Sequence, residues 1–224
     1  IGTLVDVHPH YAQCLQQAIA HCGVGTLVVN SLIGHSLEAL RCGLPMVYVA
    51  HDYFPFWPVL HCDFGDPARR FDQAELAAEL ARAPTAMFSE RDASVWWRLR
   101  EASIAALRAA RPVLVTPTAS VAQNLRRLLP EWPELAPHVI AHGIPAWPDD
   151  APSVLPAADE RLRLVIVGRL NEGKGLRMLE PCLPALTEHA ELYLIGPGKA
   201  AEALFGRAGI HIQLDYERHE LPAR

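Results

Sequence analysis

The sequence has no excess of positive charge, no paired cysteines and no long apolar run, and each absence removes a class of function. Twenty Lys and Arg against 25 Asp and Glu leave a net charge of −5. No broad basic field is there to hold nucleic acid, so an anionic ligand has to be met by a few placed cations. The cysteines Cys14, Cys22, Cys42, Cys62 and Cys182 include no C-x-x-C pair and leave one over, which suits a reducing compartment and not a disulfide framework. No apolar run approaches the roughly 18 to 20 residues that cross a bilayer, and no basic-then-apolar leader opens the chain. A D-x-D triplet is also missing, which takes away the usual carboxylate pair for a metal-bridged phosphate ligand. The expectation is a soluble, metal-independent protein that does not bind nucleic acid.

What is present is apolar residue in quantity, 50% of 224 residues, enough for one large or two small cores. Strand-like runs at Thr26–Val29, Pro45–Ala50, Val113–Thr116, His138–Ala141, Leu162–Val167, Leu192–Ile195 and Ile210–Leu214 alternate with helical patterns. The helical stretches are Tyr11–Cys22, Leu37–Arg41, Gln73–Arg82, Asp92–Ala110, Val121–Leu129, Leu176–His189 and Ala200–Ala208, with Pro181 and Pro184 expected to kink or shorten the sixth. Alternation of this kind predicts α/β parallel sheets whose strands are buried on both faces, with ligands beyond their carboxyl ends. The chain opens on Ile1 and a further strand-like run to Val7, so both ends are expected to be cut. The proline-rich stretch from Pro145 to Pro156 excludes helix and central strand and predicts a linker, 146–160, between a domain at 1–145 and a shorter one at 161–224. Both domains are expected to be incomplete.

The most informative loop follows Leu162–Val167: Gly168-Arg169-Leu170-Asn171-Glu172-Gly173-Lys174-Gly175, then a helical pattern. Glycines at a strand-to-helix turn let main-chain N–H groups approach a ligand, and the helix end favours negative charge. With Arg169 and Lys174 beside Gly168 and Gly175, the loop suits a diphosphate. Its spacing also matches G-x-x-x-x-G-K, but Gly175 stands where a nucleoside triphosphatase needs Ser or Thr to reach magnesium. A solvated loop that caps the sheet is the bland reading.

A second turn, Gly196-Pro197-Gly198-Lys199-Ala200-Ala201, fits G-x-G-x-x-A, and Asp215 closes the next strand near the distance of a ribose-binding acid. That reading makes the chain an NAD(P)-dependent oxidoreductase. Against it, the fingerprint belongs after the first strand of its domain, and here another unit with its own cationic loop precedes it. The simpler reading gives Gly196 and Gly198 to a tight turn.

Taken in order, these segments resemble the retaining group 1 glycosyltransferases of the GT-B fold, often called glycosyltransferase family 4. The resemblance runs through Pro45–Asp52, a strand ending in His51, and through Val113–Leu125, a strand and Ser/Thr-capped helix with Thr118 and Asn124. It continues through Val139–Ile144 to Val167-Gly168-Arg169 with Lys174-Gly175, its most specific piece, and to Leu194–Gly198. It implies two Rossmann-like domains, a nucleotide-diphosphate-sugar donor, and a sugar, glycan or lipid-linked acceptor. Arg169 and Lys174 would bind the donor diphosphate, and His51 would stand beside the transferred sugar. A location in the cytoplasm, with peripheral contact at the inner membrane face, goes with that role. The family's amino-terminal glycine-rich loop and its late E-x7-E segment are absent, which truncation explains; the same spacing between Glu172 and Glu180 is chance.

In that reading Gly168, Arg169, Lys174, Gly175 and Gly196 bind donor, Arg169 and Lys174 stabilise charge on the departing diphosphate, and His51 assists at the sugar. A non-catalytic nucleotide-sugar-binding module would use the same loop without transfer. Asp52, Tyr53 and Trp57 begin an aromatic loop that could face an acceptor or pack under the following helices. Asp63 and Asp66 read as turn formers. Trp96 and Trp97, with Arg98, Arg100, Arg108 and Arg111, could rest on an anionic membrane, although a helix with one buried side explains them more simply. His8, His10, Cys14, His21 and Cys22 lack a zinc spacing and read as structural.

Overall fold

The computed structural model describes residues 5–59, 62–82, 88–143, 161–171 and 174–216. Two compact units divide the chain, Ile1–Gly143 and Ile144–Arg224. The expected linker at 146–160 lies outside the described residues, as do Ile1–Leu4.

In the first unit, helix α1 (Pro9–Cys22) precedes strand β1 (Leu27–Val29), and a 3-10 turn at Leu37–Arg41 leads to β2 (Met46–Val49). Helices α2 (Gln73–Arg82) and α3 (Ala93–Ala110) then reach β3 (Val113–Thr116), and α4 (Ala119–Leu128) leads to β4 (His138–Val139). The four strands are parallel in the order β1-β2-β3-β4, with Leu27 opposite Met46 and Val49 opposite Val115. Parallel pairing brings every carboxyl end to one edge, where the connecting loops carry chemistry.

Local chemistry sets the helix limits. The Nδ1 atom of His8 accepts the Tyr11 N–H at 3.1 Å, and Pro9 supplies the first turn of α1, which Gly23 ends in the left-handed region. His8 is thus a cap, as the structural reading of the histidine and cysteine group expects. Thr118 caps α4 by accepting the Val121 N–H at 3.2 Å. Helix α3 buries Trp96, Leu99, Arg100, Ser103, Ile104 and Leu107 on one side, the ordinary one-sided helix. Its Arg100 and Arg108 are taken up by Glu131 and Glu134. Among the described residues no helix is long and apolar enough to cross a membrane. All five cysteines are free, and burial with the neighbouring Glu79 pushes the Cys62 thiol up to about 12.

The second unit repeats the arrangement with β5 (Leu162–Val167), α5 (Leu176–His189), β6 (Ala190–Ile195), a 3-10 turn at Lys199–Leu204 and β7 (Ile210–Gln213). Its strands are parallel in the order β5-β6-β7. Leu183, Leu192, Leu194, Ala201 and Leu204 form the core, with Leu164, Ile166 and Ile212 packed against it. Both units are α/β with parallel sheets, compatible with a Rossmann-like fold.

Three expectations need correction. Residues 5–7 are not in a strand: no strand pairs with them among the described residues, and the Asp6 carbonyl accepts instead from the Leu37 N–H at 3.2 Å and from Arg41 Nη1 at 2.7 Å. The strands are not all buried on both faces: Val165 and Val167 on one face of β5 are 54% and 50% exposed, while Leu164 and Ile166 pack inward. Helix α5 is not shortened by Pro181 and Pro184, which lie inside its span from Leu176 to His189. Both prolines are exposed, so they sit on the solvent side of the helix, where water can stand in for the hydrogen bonds they do not make.

Candidate functional site

In the first unit, polar groups collect where the strands end. Asn30 follows β1 directly, and His51 comes two residues after β2, whose ladder continues through the Ala50 N–H to the Val115 carbonyl at 2.9 Å. The parallel register, Val29 opposite Tyr48, brings Asn30 level with Val49, two residues before His51, and His51 Nε2 lies 2.6 Å from Asn30 Oδ1. Beyond β4 the ring of His142 stacks on that of His51, with centroids 5.1 Å apart and planes 13° from parallel. All three residues are exposed. The sequence reading found His51, covered His142 only within the segment Val139–Ile144, and missed Asn30. Its signal was a polar amide immediately after an apolar run.

Asp52 is half-buried and bends the chain away from this edge, its Oδ1 accepting the Phe54 N–H at 2.9 Å. Burial pushes its carboxyl above the ordinary range, against the pull of that hydrogen bond and of His51. The aromatic residues that follow go inward. Tyr53 is 9% exposed and its hydroxyl accepts from Asn124 Nδ2 at 2.9 Å. Trp57 is 0% exposed, meets Phe71 edge-on at 5.3 Å, and donates its indole N–H to Glu79. Packing under the helices is therefore what these two rings do, and neither presents a face to an acceptor.

A groove of about 720 Å³ runs along α3, lined by Trp97, Arg100, Ile104, Arg108 and Glu131 among others. It contains no residue singled out for the donor or acceptor, and the guanidinium groups of Arg100 and Arg108 are occupied by carboxylates.

In the second unit, the loops after β5 and β6 form one hydrogen-bonded mouth. The Gly168 N–H reaches the Ile195 carbonyl at 2.7 Å, and the Leu170 N–H reaches the Pro197 carbonyl at 2.8 Å, with Leu170 itself buried. Arg169 is exposed and lies across the second turn: a Cβ on Gly198 would sit 3.6 Å from its Cγ and 3.7 Å from its Nε. Asn171 accepts the Lys174 N–H through its Oδ1 at 3.0 Å and the Leu176 N–H through its carbonyl at 3.1 Å, which turns the chain into α5. Gly175 starts that helix at φ 86, and no side chain caps it. The exposed Lys174 immediately precedes it; Glu172 and Gly173 lie outside the described residues.

Gly196 is explained by packing. At φ 66 its missing side chain makes room for the ring of Tyr216, whose Cε1 would be 2.4 Å from an added Cβ. Tyr216 was not anticipated from sequence. Asp215 lies beyond β7, which ends at Gln213, so it does not close that strand. The element after Gly198 is a six-residue 3-10 turn. No protein family, no curated protein and no solved structure matches the chain.

Chemically, the second mouth offers a guanidinium, an ammonium and the positive end of a helix dipole to an anion. The first edge offers an imidazole paired with an amide, which suits hydroxyl groups.

Proposed function

We propose that the chain carries the donor-phosphate site of a nucleotide-sugar-dependent glycosyltransferase of the GT-B type. The observation that supports this best is Arg169 laid over the Gly198 turn, in the same loop as Lys174 and the start of α5. As the sugar–phosphate bond breaks, negative charge grows on the departing diphosphate. Two cations and a helix end held in place stabilise that charge more in the transition state than in the ground state. This is the neutralisation that a bridging divalent ion provides elsewhere. His51 is the group assigned to the sugar, and the acceptor is a glycan, a lipid-linked sugar or a small molecule.

The oxidoreductase reading has less support. A dinucleotide's pyrophosphate needs a long helix after the glycine turn, and here a six-residue 3-10 turn follows, with Tyr216 filling the space above Gly196.

Calorimetry on the intact chain with uridine and guanosine diphosphates, and with NAD, tests the reading. Arg169→Ala and Lys174→Ala are each expected to weaken diphosphate binding at least tenfold. Unchanged affinity in both variants overturns the assignment, and binding of NAD alone turns it to the oxidoreductase. Diphosphate-sugar binding without hydrolysis or transfer identifies a binding module.

A further inference from the structure

The pairing of Asn30 with His51 has a chemical consequence. Strands β1 and β2 are hydrogen-bonded neighbours, so the residues just past their ends are held in a fixed register. An amide oxygen can only accept a hydrogen bond. With Oδ1 of Asn30 2.6 Å from Nε2 of His51, that ring nitrogen has to carry the proton. A neutral imidazole has one N–H, which leaves the lone pair on Nδ1. Among the described residues Nδ1 has no hydrogen-bond partner. The parallel ring of His142, 5.1 Å away, limits how far the His51 plane can turn.

We propose that Asn30 is a positioning residue: it holds His51 as the Nε2–H tautomer, so that Nδ1 is the atom that accepts a hydrogen bond from a substrate hydroxyl. The identity of that hydroxyl, on the donor sugar or the acceptor, rests on the glycosyltransferase reading above. The tautomer does not. Because Asn30 is neutral, it orients the ring without adding a charge that would trap the imidazolium form.

The test is a long-range proton–nitrogen correlation spectrum of the ¹⁵N-labelled full chain, taken without ligand at a pH well above the imidazole range. In the unsubstituted protein His51 Nε2 is expected to show the protonated, pyrrole-like shift and Nδ1 the pyridine-like shift. Asn30→Leu removes the acceptor and should lower the ratio of Nε2–H to Nδ1–H tautomer about fivefold, the weight of one ordinary hydrogen bond. Asn30→Asp keeps an acceptor oxygen and should retain the ratio. An unaltered thermal unfolding curve for Asn30→Leu separates a tautomer effect from loss of fold. A pyridine-like Nε2 in the unsubstituted protein, or an unchanged ratio in Asn30→Leu, overturns the proposal.

In transfer or donor-hydrolysis assays at a pH well above the imidazole range, Asn30→Leu should lower kcat, by up to about fivefold, with KM for the donor held, and Asn30→Asp, whose charge does not trap the imidazolium form at that pH, should recover most of it. Loss of the tautomer preference with kcat unchanged overturns the substrate part alone. Failure of diphosphate binding in the calorimetry above counts against the glycosyltransferase reading and leaves the spectroscopic result standing.

Discussion

The buried guanidinium of Arg100 grips the carboxylate of Glu131 through Nε at 2.9 Å and Nη2 at 2.7 Å, and the same group reaches the main-chain carbonyls of Leu128 and Phe56. One side chain thus ties α3 to the end of α4 and to the loop after β2. Burial lowers the Arg100 pKa and the Glu131 charge opposes that shift, so the pair stands or falls together.

Arg100→Ala is expected to destabilise the first unit by about 2 to 3 kcal/mol. The lower part of the range for broken buried pairs applies because Glu131 is 41% exposed and can be rehydrated, whereas the Leu128 and Phe56 carbonyls lose a buried donor. Glu131→Gln, which keeps an acceptor, should cost less than half as much. Urea unfolding of the two variants, followed by tryptophan fluorescence, checks the order.

Trp57→Phe removes an indole that is fully buried and bound to Glu79, which Arg69 also holds at 2.6 Å. The expected cost is about 1 to 3 kcal/mol, from the lost hydrogen bond and the smaller ring. Because the side chain faces the core, binding of sugar acceptors by the folded variant should be unchanged. A large loss of acceptor affinity without loss of stability would restore Trp57 to the site.

Periodicity and composition were enough to place β3 at Val113–Thr116, β5 at Leu162–Val167 and α5 at Leu176–His189. These are long apolar or strongly periodic stretches in which local preference and burial agree. The strand-like run from Ile1 to Val7 was misleading over its described part, 5–7, because such a segment makes a strand only when a neighbouring strand supplies the hydrogen bonds. Arg169 was legible from glycine spacing. Asn30 and Tyr216 were not, since each matters through a partner 21 or 20 residues away, His51 in one case and Gly196 in the other, and only the register of parallel strands brings those pairs together.

Asp52 gives a pH signature. Its folded-state pKa is raised by burial, so the native protein holds this proton more tightly than the unfolded chain. Stability from this group is therefore full below the unfolded carboxylate pKa, about 3.9, and falls as pH rises through the raised folded value. Asp52→Asn keeps an oxygen for the Phe54 N–H and carries no charge, so it should be more stable than the unsubstituted protein at pH 7. The advantage should vanish toward pH 3. Paired denaturant curves across that range check the sign, and an advantage that grows in acid would contradict it.

Gly196 and Gly198 make opposite demands on their surroundings. An alanine at 196 would meet the Tyr216 ring 2.4 Å from its Cβ and would also adopt φ 66, so Gly196→Ala should destabilise the second unit by about 2 to 3 kcal/mol. At 198 the nearest contacts are with Arg169 at 3.6 and 3.7 Å, ordinary packing distances, and the cost comes from φ 73 and ψ −171, a region nearly exclusive to glycine, at about 1 to 3 kcal/mol. The two mechanisms separate in a double-mutant cycle. In a Tyr216→Ala background Gly196→Ala should keep only its backbone cost, about 1 kcal/mol, whereas Gly198→Ala should cost the same as before. Amide hydrogen exchange in β5, β6 and β7 reads the opening free energy of this unit directly. Equal costs for Gly196→Ala with and without the tyrosine ring would mean that the ring does not pack there.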